Sequence, residues 1–282
     1  MMELLLIHTG GTIGMGDTEH GLAPMAGIVE EALEARLPEG AVLAAHVFNP
    51  LLDSSNVGPS HWNEMLEAIE AHPGARVIIT HGTDTMAFTG AALSQALAGL
   101  GRHVVLCGSM VPLHHHGDAE GNLDLAIRAA FQPGEGVWLA FDGKLMPAEG
   151  LVKHESQDAD AFRATPQLKP GLPARRRFDD RRIAVLSLSP GMPASMLRAA
   201  LAELDGAVLR VFGSGTAMSC EDVLGVLRDA VASGKRIRAV SQCEQGGLIP
   251  GSYAAGAGLW SCGVENGGLE TPEAALVRLW LN

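Results

Sequence analysis

The chain reads as an α/β protein of two domains, each a largely parallel sheet flanked by helices. Three observations predict this. Short apolar, β-branched runs alternate with longer stretches of helical spacing along nearly the whole sequence, which is the pattern of βαβ units. The alternation breaks once, over residues 165–180, at three prolines and the run Arg175-Arg176-Arg177. Two strand-to-helix junctions also carry glycines and hydroxyls. In open parallel sheets, ligands bind beyond the carboxyl ends of the strands.

The elements follow in order. Glu3-Leu4-Leu5-Leu6-Ile7-His8 is the first strand, and it runs into Thr9-Gly10-Gly11-Thr12-Ile13-Gly14. Residues 17–24 are polar and glycine-containing and read as a mobile loop. Residues 28–37 have helical spacing. Residues 42–48 alternate like a strand, and 49–56 follow as a polar loop. Ser60 is placed to cap a helix from residue 61 or 62 to about 71. Residues 75–80 are a buried strand, His81-Gly82-Thr83-Asp84-Thr85-Met86 is the junction, and residues 87–97 are a helix. A strand at 103–107, a helix at 122–131 and a strand at 137–141 come next. Residues 143–153 read as a hairpin. The predicted boundaries are 1–165 for the N-terminal domain, 166–182 for a linker and 183–282 for a smaller C-terminal domain. In the latter, strands at 183–188, 207–211 and 237–241 alternate with helices at 193–204 and 221–232. Thr271-Pro272-Glu273, an N-cap with proline at the first helical position, opens a last helix to residue 281.

Composition narrows the function. Of 282 residues, 47% are hydrophobic, which supports a substantial core rather than disorder. The formal charge of −12 argues against a nucleic-acid binder or a polybasic membrane binder. Cys107, Cys220, Cys243 and Cys262 form no C-x-x-C pair, so reduced, mostly buried thiols are expected. The N-terminus lacks a signal-peptide pattern and no apolar run reaches spanning length, which predicts a cytoplasmic protein.

The motifs narrow it further. The glycines of residues 9–16 match neither G-x-G-x-x-G nor a Walker A. His114-His115-His116 lacks the spacing of a metal site and reads as loop histidines. No Gly-x-Ser-x-Gly elbow is present, so a hydrolase here needs a threonine nucleophile. Thr12 and Thr83 end two strands, each ahead of a helix, and are placed to converge on one crevice as a hydroxyl-nucleophile site. Each alone has the plainer explanation of a helix cap.

The two threonine stretches together resemble the signature motifs of bacterial-type L-asparaginases, the asparaginase/glutaminase family. Pro50-Leu51-Leu52-Asp53-Ser54-Ser55 is similar to its substrate-binding loop, and Gly108-Ser109-Met110-Val111-Pro112 matches a family turn. Ser189-Pro190-Gly191-Met192 and Gln242-Cys243 resemble the cytosolic type I branch. The resemblance implies an asparaginase-type pair of Rossmann/flavodoxin-like domains. It implies hydrolysis of L-asparagine to L-aspartate and ammonia, with no metal or organic cofactor, by a homodimer or homotetramer. Thr12 would be the nucleophile. Thr83, Asp84 and Lys153 would form a second hydrogen-bonded group. Gly11, Asp53, Ser54, Ser55 and Gly82 would hold the substrate. A lysine serves as a base only when neutral, so Lys153 is expected to act through orientation and charge. Another small amide, such as glutamine or an asparagine derivative, and a non-catalytic amino-acid binder on the same fold are the alternatives.

There are departures from the family pattern. Leu22 stands where family members carry a tyrosine beside the nucleophile, and the chain's one tyrosine is Tyr253. This predicts weak asparagine turnover or an altered substrate; a base borrowed by Thr12 from His20 or from a neighbouring subunit is the minor alternative. Arg210 matches an arginine of the type I effector site, but a threonine of that site is Val152 here.

Overall fold

The computed structural model describes residues 2–168 and 171–282. Lys169 and Pro170, in the predicted linker, lie outside the described residues. The chain forms two compact units, Met1–Ala164 and Thr165–Asn282.

In the first unit the elements are β1 (Met2–Gly10), β2 (Met15–Thr18), β3 (Gly21–Pro24), α1 (Ile28–Glu34), β4 (Ala41–Leu52), α2 (Pro59–Ala71), β5 (Arg76–Thr80), α3 (Met86–Ala96), β6 (His103–Cys107), α4 (Ala119–Ala130), β7 (Gly136–Phe141), β8 (Lys144–Pro147), β9 (Leu151–Lys153) and β10 (Phe162–Ala164). The main sheet has the order β4-β1-β5-β6-β7-β8. All neighbours are parallel except β7 and β8. Leu4, Leu5, Leu6 and Ile7 of β1 are buried without alternation, as expected of a strand covered on both faces. One layer of core joins α1 and α4 through Val29, Leu33, Leu123 and Ala126. Helices α2 and α3 pack against each other.

The strand order fixes where a ligand can enter. The chain leaves β1 toward β4 on one side, then crosses to β5 on the other and continues outward to β6 and β7. The winding reverses between β1 and β5, so a crevice opens beyond their carboxyl ends. Thr12 follows β1 and Thr83 follows β5.

Several sequence expectations differ in detail. Residues 17–24 are not a loop: β2 and β3 pair as a hairpin, Met15 opposite Pro24 and Asp17 opposite Leu22. Strand β4 runs on through Asn49 and Pro50 to Leu52. Proline is tolerated there because β4 is the sheet's edge. Pro59 takes the first helical position of α2 with Gly58 as its cap, so Ser60 lies inside the helix. The hairpin near residue 143 joins β7 to β8, turning at Asp142 (φ 47°) and Gly143 (φ 69°). Positive φ at both central residues is what a tight two-residue hairpin demands. Lys153 belongs to a separate strand, β9, paired with β10. Of the cysteines, Cys107 and Cys262 are buried, but Cys220 and Cys243 are exposed.

The second unit contains β11 (Ile183–Ser187), α5 (Ala194–Glu203), β12 (Gly206–Val211), α6 (Glu221–Ala232), β13 (Arg236–Ser241), α7 (Ala257–Ser261), β14 (Glu265–Asn266) and α8 (Pro272–Leu281). Its sheet is wholly parallel, in the order β11-β12-β13-β14. The Thr271 hydroxyl accepts from Ala274 N at 3.1 Å and caps α8. Arg181 is fixed to this unit, donating to the Leu279 and Trp280 carbonyls at 3.0 and 2.5 Å.

Candidate active site

The crevice is a cavity of about 190 Å³ lined by residues that follow β1, β4, β5 and β6, with Lys153 and Ser156 from β9 and the segment after it. Its first wall is the turn after β1. Gly11 has φ 85°, and a Cβ there would lie 2.4 Å from the Gly82 nitrogen. Only glycine combines that conformation with so close an approach. The contact brings the Thr12 turn against the His81-Gly82-Thr83 turn, so both threonines line the cavity.

The second wall is a charged group. Lys153, at the end of β9, donates from Nζ to Thr83 Oγ1 at 2.9 Å and to Asp84 Oδ1 at 2.6 Å. Its side chain is 19% exposed and that of Asp84 is 67% exposed, so the pair contributes little to stability. Its consequence is geometric: the ammonium is held at the Thr83 hydroxyl.

The third wall is the turn after β4. Asp53 caps a short 3-10 turn over Ser54–Asn56, accepting from Ser55 N at 2.8 Å. Hydrogen bonds from the Ser55 side chain and backbone hold its carboxyl below the usual range, so it is ionised at neutral pH. Asp53 and Ser54 line the cavity. Ser55 does not: it is exposed, with its N–H spent on Asp53. The Ser54 carbonyl accepts from Thr85 Oγ1 at 2.6 Å, which ties this turn to the one after β5.

Sequence reading missed four lining residues: Met15, Ser109, Met110 and Ser156. Ser109 is 1% exposed, and its Oγ has no hydrogen-bond partner among the described residues. Its turn is rigidly held. Met110 N and Val111 N donate to the Asp118 carboxylate at 2.9–3.1 Å, and Asn122 Nδ2 donates to the Gly108 carbonyl at 3.0 Å. Asp118 and Asn122, four apart at the start of α4, were the available signal.

Behind the cavity are two buried histidines. The His8 ring hydrogen-bonds Thr80 Oγ1 at 2.7 Å, and burial pushes its pKa down to about 4. His81 is likewise lowered to about 4 by burial.

Other candidates fall outside the cavity lining. Leu22 is 47% exposed on β3, whereas Met15 is the hairpin residue that reaches the cavity. His20 is exposed in the turn of the same hairpin. His115 Nε2 lies 3.5 Å from Asp17, and His114 N donates to Glu120. No group of three His, Cys, Asp or Glu side chains that could hold a metal occurs among the described residues. In the second unit, Arg210 donates to the Gln242 carbonyl at 3.2 Å. In the first, Val152 pairs with Arg163 between β9 and β10.

The chain as a whole has counterparts among known proteins. Residues 3–177 match the family domain described as "Asparaginase, N-terminal", and residues 182–281 match the "Glutaminase/Asparaginase C-terminal domain". L-asparaginase 1 of Escherichia coli K12 is 33% identical over 306 aligned residues, spanning 98% of this chain and 90% of its own. The thermostable L-asparaginase of Thermococcus kodakarensis superposes with a TM-score of 0.85 at 30% identity, over 99% of this chain and 92% of its own. L-asparaginase I of Vibrio cholerae superposes equally well, with a TM-score of 0.85, 30% identity and the same 99% and 92% coverage.

Proposed function

The chain belongs to the asparaginase family, and from that premise we propose that it hydrolyses L-asparagine to L-aspartate and ammonia through a threonyl ester. The observation that carries the reading is the meeting of Thr12 and Thr83 in one cavity, with Lys153 and Asp84 bonded to the second.

In the first half-reaction the Thr12 hydroxyl oxygen attacks the carboxamide carbon. A bond forms to carbon, the carbonyl π electrons move to oxygen, and backbone N–H groups of the glycine-flanked turns donate to the oxyanion. Collapse re-forms the carbonyl and breaks the C–N bond, and the nitrogen, having taken up the proton lost by the Thr12 hydroxyl, leaves as ammonia. In the second, a water oriented by the Thr83–Lys153–Asp84 group attacks the ester and frees aspartate and the Thr12 hydroxyl. Ionised Asp53 pairs with the substrate's α-ammonium, and Ser54 with Gly11 and Gly82 takes the α-carboxylate end. Ser55 serves this part only through its bond to Asp53.

Among the described residues no tyrosine lines the cavity, so Thr12 lacks that phenol and asparagine turnover is slower than in tyrosine-bearing family members. A related amide whose own group fills that space is the second reading. The assembly we infer is a cytoplasmic homodimer or homotetramer, which light scattering tests: a monomer at micromolar concentration refutes it. The function itself is tested by an ammonia-release screen over asparagine, glutamine and asparagine derivatives beside Thr12→Ala. Thermal stabilisation by asparagine or aspartate with no ammonia from any amide would make the protein a binder.

A further inference from the structure

We propose that His81, Thr89 and Trp62 form a buried relay that aims the Thr83 backbone N–H at the oxyanion, which makes His81 a positioning residue for the reaction. None of the three lines the cavity. The proposal rests on the amidase reading above.

The proton positions follow from chemistry alone. An indole nitrogen can only donate, so Trp62 Nε1, 3.0 Å from Thr89 Oγ1, gives its hydrogen to that oxygen. The Thr89 hydroxyl then has its own proton to give, and the atom it faces at 2.9 Å is His81 Nε2. A carbonyl can only accept, so at the 2.7 Å contact with the Gly82 oxygen it is His81 Nδ1 that carries hydrogen. Each bond in the series Trp62, Thr89, His81, Gly82 has one permitted direction, and together they select the Nδ1–H tautomer. Burial supports this state: His81 is 0% exposed and its pKa is pushed down to about 4, so the ring stays neutral.

The consequence lies one peptide further on. A trans peptide sets its C=O and N–H on opposite sides. With the Gly82 carbonyl held against the buried ring, the Thr83 N–H turns the other way, toward the cavity that Gly82 and Thr83 line. Gly82 has no side chain to stabilise that peptide, and its hypothetical Cβ would lie 2.7 Å from Ser54 Oγ, so none can be added. The orientation of a catalytic donor is therefore delegated to His81. Trp62 on α2 and Thr89 on α3 anchor it to two helices.

The test compares asparagine kinetics and thermal unfolding in the wild type, His81→Leu, His81→Asn, Thr89→Val and Thr89→Ser. His81→Leu removes the donor, whereas His81→Asn places an amide N–H where Nδ1 was. Loss of one oxyanion donor typically costs about 10²–10³-fold in kcat. The expected result is a kcat fall of about 10²-fold in His81→Leu, with KM changed less than about threefold, and recovery to within about tenfold of wild type in His81→Asn. Thr89→Val should lose about tenfold in kcat and Thr89→Ser should recover it, which keeps the test decisive if His81→Leu does not fold. Unchanged kcat in folded His81→Leu, or equal losses in the Leu and Asn variants and in the Val and Ser variants, would overturn the relay while leaving the amidase reading intact. Absence of ammonia from wild type with every amide would overturn that reading and the relay with it.

Discussion

The two units share one strand–loop–helix grammar but differ in strand order. The first sheet runs β4-β1-β5-β6-β7-β8, so its winding reverses between β1 and β5. The second runs β11-β12-β13-β14 without reversal. Reversal sends the connections after two adjacent strands in opposite directions and leaves a crevice between them. The hydroxyls and the Lys153 ammonium occur at that crevice. The second unit also holds a cavity, about 370 Å³ beyond the ends of β13 and β14, but it lies at no reversal of the winding and no lysine lines it among the described residues. Charged side chains of the second unit are instead spent on one another. Glu265 bridges Arg236 and Arg238 at 2.6 and 3.0 Å, while Glu270 bridges Arg238 at 2.5 Å and also bonds Arg278. Similar local grammar thus brings hydroxyls and a lysine together in one unit and an arginine–glutamate network in the other.

The contrast breaks most sharply at the proposed nucleophile. Thr12→Ala should lower ammonia release by at least ~10³-fold without shifting thermal unfolding by more than a degree or two, since the side chain faces a cavity rather than the core. Residual activity near wild type would remove Thr12 from the mechanism. Lys153→Met should lower kcat by about 10²-fold with little change in KM, because its contact with Thr83 bears on the transition state. An unchanged kcat would leave Lys153 a hairpin-side lysine with no part in turnover.

The second unit should respond in the opposite currency. The Glu270 side chain is 9% exposed between Arg238 and Arg278. Glu270→Gln removes the carboxylate from Arg278 and leaves Arg238 paired with Glu265 alone, and should cost about 3 kcal/mol in urea unfolding, with kcat/KM near wild type well below the melting temperature. A loss of activity in the still-folded variant would contradict the division between units.

Acid should weaken the first unit through its buried histidines. His8 and His81 have folded pKa values of about 4 against 6.5 ordinarily. The unfolded chain therefore binds more protons between those values. Their contribution to stability is complete above pH 6.5, declines as pH falls, and is exhausted near pH 4. His8→Gln should flatten the unfolding-midpoint curve over that window, and an unaltered slope would show that His8 titrates normally. The smallest effect belongs to Leu22→Tyr. The position is 47% exposed and opposite Asp17, outside the cavity lining, so kcat/KM should change by less than about threefold against the 10²–10⁴-fold that acid–base help supplies. A tenfold rise would place residue 22 over the nucleophile after all.

The amino-acid order by itself determined the class of fold. Leu4-Leu5-Leu6-Ile7, Val77-Ile78-Ile79 and Val104-Val105-Leu106 are apolar without alternation, which only strands covered on both faces need, and helical periodicity between them supplies the cover. It also determined the candidate chemistry, since Thr12, Thr83, Asp84 and Lys153 stood out by residue type and family likeness. Local signals failed where partners were distant. Gly16, Asp17 and Gly21 concealed the β2–β3 hairpin, and Pro50 concealed the end of β4, because pairing and edge position are settled by other segments. Ser109 and Met110 were legible only as a turn, because what makes them cavity residues is the hold of Asp118 and Asn122 on their backbone. The tertiary structure alone decided that β1 and β5 are neighbours, that Gly11 rests on Gly82, and that His81 is fully buried. Each of these depends on contacts between residues about seventy positions apart, or on burial that no single segment can impose on itself.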